Sequence, residues 1–182
     1  MKATLWTVAL AATLAASTAG AATVDVGGAA MFPEKNIVQN AVNSKDHTTL
    51  VAAVKAAGLV STLESKGPFT VFAPTNAAFD ALPAGTVQTL LKPENKQKLV
   101  KILTYHVVPG RYTKRDLEQM IHKGGGKAEL KTAEGGTLTV MMNGPQNIQI
   151  KDSSGGVADI STYDVMQKNG IIDVVDKVLL PE

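Results

Sequence analysis

The chain has 182 residues, 18 Lys and Arg against 16 Asp and Glu for a net charge of +2, and no cysteine. That balance argues against a general nucleic-acid binder, which needs a strongly basic face. The missing cysteine removes disulfides, thiol chemistry and Cys-type zinc sites, and the length suits one domain with a sizeable core.

Residues 1–21 carry one lysine, an apolar run from Leu5 to Ala16, and the small residues Ala19, Gly20 and Ala21. That is the layout of a secretory signal. The run falls short of the ~20 apolar residues that a bilayer span needs. Cleavage after Ala21 is expected, giving a secreted or periplasmic product without a transmembrane anchor and without tryptophan, because Trp6 is the only one. Residues 22–35 are small, Gly-containing and aperiodic, which predicts a flexible N-terminal segment.

From Asn36 the pattern becomes helical. Ile37, Val38, Ala41 and Val42 share one face, and Leu50, Val51 and Val54 share another, with Gly58 as the expected stop. His47 lies near the start of that second helix. TVFAPTNAAF, Thr70–Phe79, opens as a β-branched strand that Pro74 ends by fixing φ and removing a donor. Asn76 is expected to tie the ensuing turn through local side-chain hydrogen bonds, and Phe79 to cap the core. Two helical pieces follow within 83–103, with Pro93 starting the second. TYHVVPG reads as a short strand closed by Pro109-Gly110, and Thr113 as the N-cap of KRDLEQMI.

Beyond Gly124 the period changes to two. Half of the sixteen glycines fall between Gly124 and Gly156, separating KAELKT, TLTVMM, NIQIKD and VADIST. Short alternating runs with Gly-rich turns predict antiparallel hairpins. GIIDVVDKVLLP closes the chain as a further β-branched run. Helices grouped early and strands grouped late indicate the α+β class.

Three ordered motifs, TVFAPTNAAF, ILTYHVVPG and NGIIDVVDKVLLP, resemble the signatures of the fasciclin family, secreted and cell-surface modules. The resemblance spans residues 36–181 and is closest in form to short bacterial members with one domain. It implies a β-sandwich-like wedge of mostly antiparallel strands with a layer of helices. Thr70, Pro74, Asn76, Phe79, Tyr105 and His106 are the motif positions that match. One departure is Asp173, where the family often has His; alternation puts it on the face of Ile171 and Val175. A buried carboxylate is costly without partners, so Asp173 is expected to reach solvent or to be hydrogen-bonded.

Three pairs are candidate interaction residues. Tyr105 and His106 are read either as buried, bonded rings pinning helix to sheet or as a recognition surface, since the resemblance implicates this region in adhesion. Asp164 and Val165 stand where animal relatives carry an Asp-Ile pair linked to integrin recognition; the other reading is an ordinary turn or strand end. Arg111 and Tyr112 follow a Pro-Gly turn and are residue types enriched at contact surfaces.

The sequence lacks the G-x-S-x-G, H-E-x-x-H, Walker and G-x-G-x-x-G patterns. His47, His106 and His122 have no ligand spacing, so neither a catalytic site, a metal nor a cofactor is expected. The leading expectation is therefore a non-enzymatic interaction or cell-adhesion module that binds a protein or a surface glycan. The alternative is a small-molecule binder, or a weak hydrolase-like activity, in a pocket between helices and sheet. Oligomeric state is left open.

Overall fold

The computed structural model describes residues 23–182, so the expected signal, 1–21, lies outside the described residues. The segment expected to be a flexible lead-in instead forms a hairpin of β1 (Val24–Val26) and β2 (Ala29–Met31). Gly27 and Gly28, at φ 60° and 72°, supply the two left-handed residues that such a tight turn needs. Val26 and Met31 are buried in the core beneath the helices. Their burial gives the hairpin its order, which three-residue strands do not signal in the sequence.

Among the described residues there are seven α-helices. They are α1 (Ile37–Ala41), α2 (Thr48–Ala57), α3 (Val60–Glu64), α4 (Asn76–Asp80), α5 (Thr86–Leu90), α6 (Lys96–Tyr105) and α7 (Lys114–Lys123). Their ends obey local rules. Gly58 terminates α2 in the left-handed conformation at φ 73°, and Thr113 caps α7 in a reciprocal box with Asp116. Pro93 opens a 3₁₀ turn that leads into α6.

The remaining strands are β3 (Phe69–Pro74), β4 (Val107–Pro109), β5 (Lys127–Lys131), β6 (Thr137–Asn143), β7 (Asn147–Lys151), β8 (Val157–Gln167) and β9 (Gly170–Val175). They form one sheet in the order β4-β3-β9-β8-β7-β6-β5, antiparallel except for the parallel β3–β9 pair. The two ends of this order approach each other, and the Ala133 amide donates to the Val107 carbonyl at 2.7 Å. The sheet is thus a sandwich-like wedge that is nearly closed.

Its central strands are buried on both faces, which explains their unbroken apolar runs. Val71, Ala73, Ile172 and Val174 face the helical layer α1–α6. Phe72 and Val175 face a second core, built from Leu138, Val140, Ile148 and Ile150 of the hairpins with Leu117 and Ile121 of α7.

Thr75, not Asn76, caps α4, accepting from the Ala78 amide at 3.3 Å. Asn76 makes tertiary bonds instead of the local ones expected. Its Oδ1 accepts from the Thr49 amide at 3.0 Å and the Thr48 hydroxyl at 3.2 Å, and its Nδ2 donates to the Lys45 carbonyl at 2.8 Å. The side chain therefore locks the start of α4 to the start of α2, with Phe79 buried in the core below. Asn76→Ala is expected to cost about 1–2 kcal/mol, a fall of a few degrees in Tm by calorimetry. An unchanged melt would remove this lock from the account.

Candidate interaction site

The Tyr105-His106 pair requires a correction as a surface candidate. It does not lie on a strand: Tyr105 ends α6 and His106 is its C-cap. Both side chains are buried, at 0% and 2% exposure. The Tyr105 hydroxyl donates to the Thr137 carbonyl at 2.8 Å and accepts from the Ser153 amide at 3.0 Å. His106 Nδ1–H donates to the Ile102 carbonyl at 2.8 Å, and Nε2 accepts from the Leu179 amide at 2.9 Å. Both ring nitrogens are thus occupied and the tautomer is set. Burial pushes the His106 pKa down to about 4, against smaller opposing effects from the Ile102 carbonyl and the Asp152 charge. The neutral ring pins the end of α6 to the last segment of the chain.

The other two candidate pairs come together in space. The loop after β4 runs beside the Tyr163–Gln167 stretch of β8. Arg111 Nη2 donates to the Gln167 carbonyl at 3.3 Å, and the Lys114 amide donates to Asp164 Oδ1 at 2.8 Å. Lys114 Nζ stands 4.7 Å above the Tyr163 ring. Arg111 is exposed; Tyr112, Lys114, Tyr163 and Asp164 are half-buried. Thr70 holds the loop from below, donating to the Gly110 carbonyl and accepting from the Tyr112 amide, both at 2.9 Å. Val165 is buried at 1% exposure and offers a partner no surface. Its strand alternation with Asp164 turns it inward.

Asp164 occupies an irregularity in β8, where the register against β9 shifts between Thr162 and Val165. Its φ of 55° is a left-handed value that aspartate tolerates better than most residues. One carboxylate oxygen is committed to the N-terminal turn of α7. Its amide donates inward to Asp173 Oδ1 at 2.9 Å. Asp173 is wholly buried, so of the two expectations for it hydrogen bonding holds and solvent access does not. Oδ2 has no partner among the described residues. Burial pushes the Asp173 carboxyl up to about 7; the Asp164 amide opposes the shift and the Asp164 charge adds to it.

Sequence reading missed Lys114 and Tyr163, which the tertiary path alone places beside Arg111 and Asp164. Among the described residues no three His, Asp or Glu side chains are grouped to hold a metal ion, and no helix is long and apolar enough to cross a membrane. Ser44 and His47 are paired, Oγ to Nδ1 at 2.8 Å, and among the described residues no carboxylate bonds Nε2.

Residues 45–181 match the model of the Fasciclin domain. The chain belongs to the fasciclin family. The fasciclin domain is 48% identical over 158 residues to protein sll1483 of Synechocystis sp., covering 86% of this chain and 79% of that protein. It is 38% identical over 133 residues to the transforming growth factor-beta-induced protein ig-h3 of Sus scrofa, covering 72% of this chain but 17% of that protein. Among solved structures, it superposes with a TM-score of 0.73 and 19% identity on the FAS1 domain pair of the insect cell adhesion molecule Fasciclin I. That match covers 81% of this chain and 51% of the pair, and it shows a shared fold. The α+β sandwich-like wedge expected from the motifs is the fold observed.

Proposed function

We propose that this fasciclin domain is a non-enzymatic adhesion or interaction module of a secreted or periplasmic protein. It binds another protein or a surface glycan through the face formed by Arg111, Tyr112, Lys114, Tyr163 and Asp164. The observation that carries this reading is the convergence of the β4–α7 loop with β8, which groups cationic, aromatic and acidic side chains on one outer face. Adhesion is the role named for the insect relative, and that role supports the same reading here. Affinity from one copy is modest, and firm attachment needs several copies acting together.

The test is retention of envelope and matrix components on beads bearing the domain at low and high density. Wild type is expected to bind in a density-dependent way. Arg111→Glu, which alters an exposed side chain and removes one long hydrogen bond to Gln167, is expected to weaken binding at least ~10-fold with a fall in Tm of no more than a few degrees. Equal retention by both proteins, or none by either, removes this face from the proposal. A second reading, small-molecule binding, is supported by an apolar cavity between the helical layer and the sheet.

A further inference from the structure

One end of the sheet gathers four basic residues from four separate segments. There β4 ends at Pro109, β3 begins at Phe69, β9 begins at Gly170 and β8 ends at Gln167. Arg111 follows β4, Lys66 precedes β3, Lys168 stands in the turn between β8 and β9, and Lys35 lies between β2 and α1. Backbone contacts join these segments in that order. The Gly110 amide donates to the Pro68 carbonyl at 2.9 Å, Gly67 abuts the Asn169 carbonyl with no room for a Cβ, and the Lys168 amide donates to the Lys35 carbonyl at 2.8 Å. Neighbouring strands lie ~4.8 Å apart, so the four positions form a row of roughly 15 Å across the strand ends.

The row is not neutralised from within the domain. Among the described residues the ion pairs are Lys101–Glu134 and Lys114–Glu118, and neither involves it. Glu34 and Glu64 adjoin the row, both exposed, and neither pairs with a member of it. Lys66, Arg111 and Lys168 are exposed; Lys35 is half-buried, with its Nζ 4.6 Å above the Phe32 ring. The Arg111 guanidinium makes one hydrogen bond among the described residues, to the Gln167 carbonyl at 3.3 Å. That bond draws it towards the Lys168 turn and leaves its other N–H groups open. Like charges held side by side repel, so a partner that neutralises them relieves the repulsion.

We propose that this row binds a linear acidic polysaccharide laid across the strand ends, its sulfate or carboxylate groups meeting Arg111, Lys66, Lys168 and Lys35 in turn. A linear polyanion carries charge at intervals along one line, which a row of cations matches. A bilayer matches it less well. Surface anchoring joins basic residues to apolar side chains that enter the lipid, and Val42 is the only exposed large hydrophobic residue among the described residues. The row shares Arg111 with the face proposed above but does not depend on that reading.

The experiment is a calorimetric titration of the protein with heparin, polygalacturonate and neutral dextran, and with vesicles of phosphatidylglycerol and phosphatidylcholine in equal parts. Saturable binding is expected for at least one acidic polymer, which tells sulfate from carboxylate as the recognised group, and none for dextran. Affinity is expected to fall at least ~10-fold between ~50 and ~200 mM salt, through counterion release. The double variant Lys66→Glu/Lys168→Glu alters exposed side chains that make no hydrogen bond among the described residues, and it is expected to lose at least ~10-fold in affinity. Lys123→Glu/Lys127→Glu makes the same change of net charge beyond the far end of α7 and is expected to lose less than ~3-fold. Failure of both acidic polymers to bind, equal losses in the two double variants, or vesicles bound more tightly than the polymers would each overturn the assignment. Should Arg111→Glu weaken retention of envelope and matrix components while Lys66→Glu/Lys168→Glu binds the polymers like wild type, the neighbouring face stands and the row falls.

Discussion

Asp173→Asn is expected to stabilise the protein by about 3–4 kcal/mol at pH 8, roughly 10 °C in Tm, and to change it little at pH 4. The carboxyl is wholly buried, with its folded pKa raised from 3.8 to about 7. The folded state therefore holds the proton more tightly than the unfolded chain does. The stability this confers is fully present below pH 3.8 and is lost as pH rises to about 7. Asparagine has the shape of the protonated acid, keeps an oxygen for the Asp164 amide, and does not titrate. Urea unfolding at the two pH values measures the difference. Equal stability of variant and wild type at pH 8 would mean that the buried carboxylate is compensated there.

His106 works in the opposite direction. Its folded pKa lies at about 4, below the ordinary 6.5, because the buried ring is held neutral. Its contribution is present above pH 6.5 and declines as pH falls towards 4, by about 3 kcal/mol. His47, also lowered by burial, adds to the same side. In the wild type these acid losses offset the gain from protonating Asp173, so the profile between pH 4 and 7 is shallow. In Asp173→Asn that offset is gone, and stability falls steadily with acid.

Asn169→Ala is expected to be strongly destabilising, by about 3–5 kcal/mol or roughly 8–16 °C in Tm. The Asn169 side chain is buried in the turn between β8 and β9. Its Oδ1 accepts from the Ile37 amide at 3.0 Å, and its Nδ2 donates to the carbonyls of Leu63 at 2.7 Å and Ser65 at 2.8 Å. One side chain thus serves three backbone groups, at the start of α1 and the end of α3. Alanine would leave all three without a partner. Thermal unfolding checks the result; a loss below ~1 kcal/mol would show that water substitutes for the amide.

Both predictions concern residues whose importance was only half legible. Asn169-Gly170 opens the closing motif in the sequence, but nothing local announces that Asn169 reaches residues more than a hundred positions away. Asp173 was placed correctly on the face of Ile171 and Val175, because alternation on a strand is a geometric certainty once the strand exists. Whether that face meets water depended on the second core closing over it. The Tyr105-His106 pair shows the same division. Its apolar neighbours marked an ordered segment, yet helix and strand periods cannot be told apart over so few residues. α6 runs on through Tyr105 and leaves three residues for β4.

What the sequence determined by itself was what short-range chemistry controls. Period-two alternation with glycine turns marks the four hairpin strands between Lys127 and Gln167, the left-handed Gly58 ends α2, and Thr113 caps α7. The three motifs further marked the family. Only the tertiary structure decided which side chains serve as ties, which faces are sealed, and which patch is left outward. The Asn76–Thr49, His106–Leu179, Asn169–Ile37 and Asp164–Lys114 bonds join residues 27 to 132 positions apart along the chain. A bond of that kind depends on the global path of the backbone, and no local propensity encodes it.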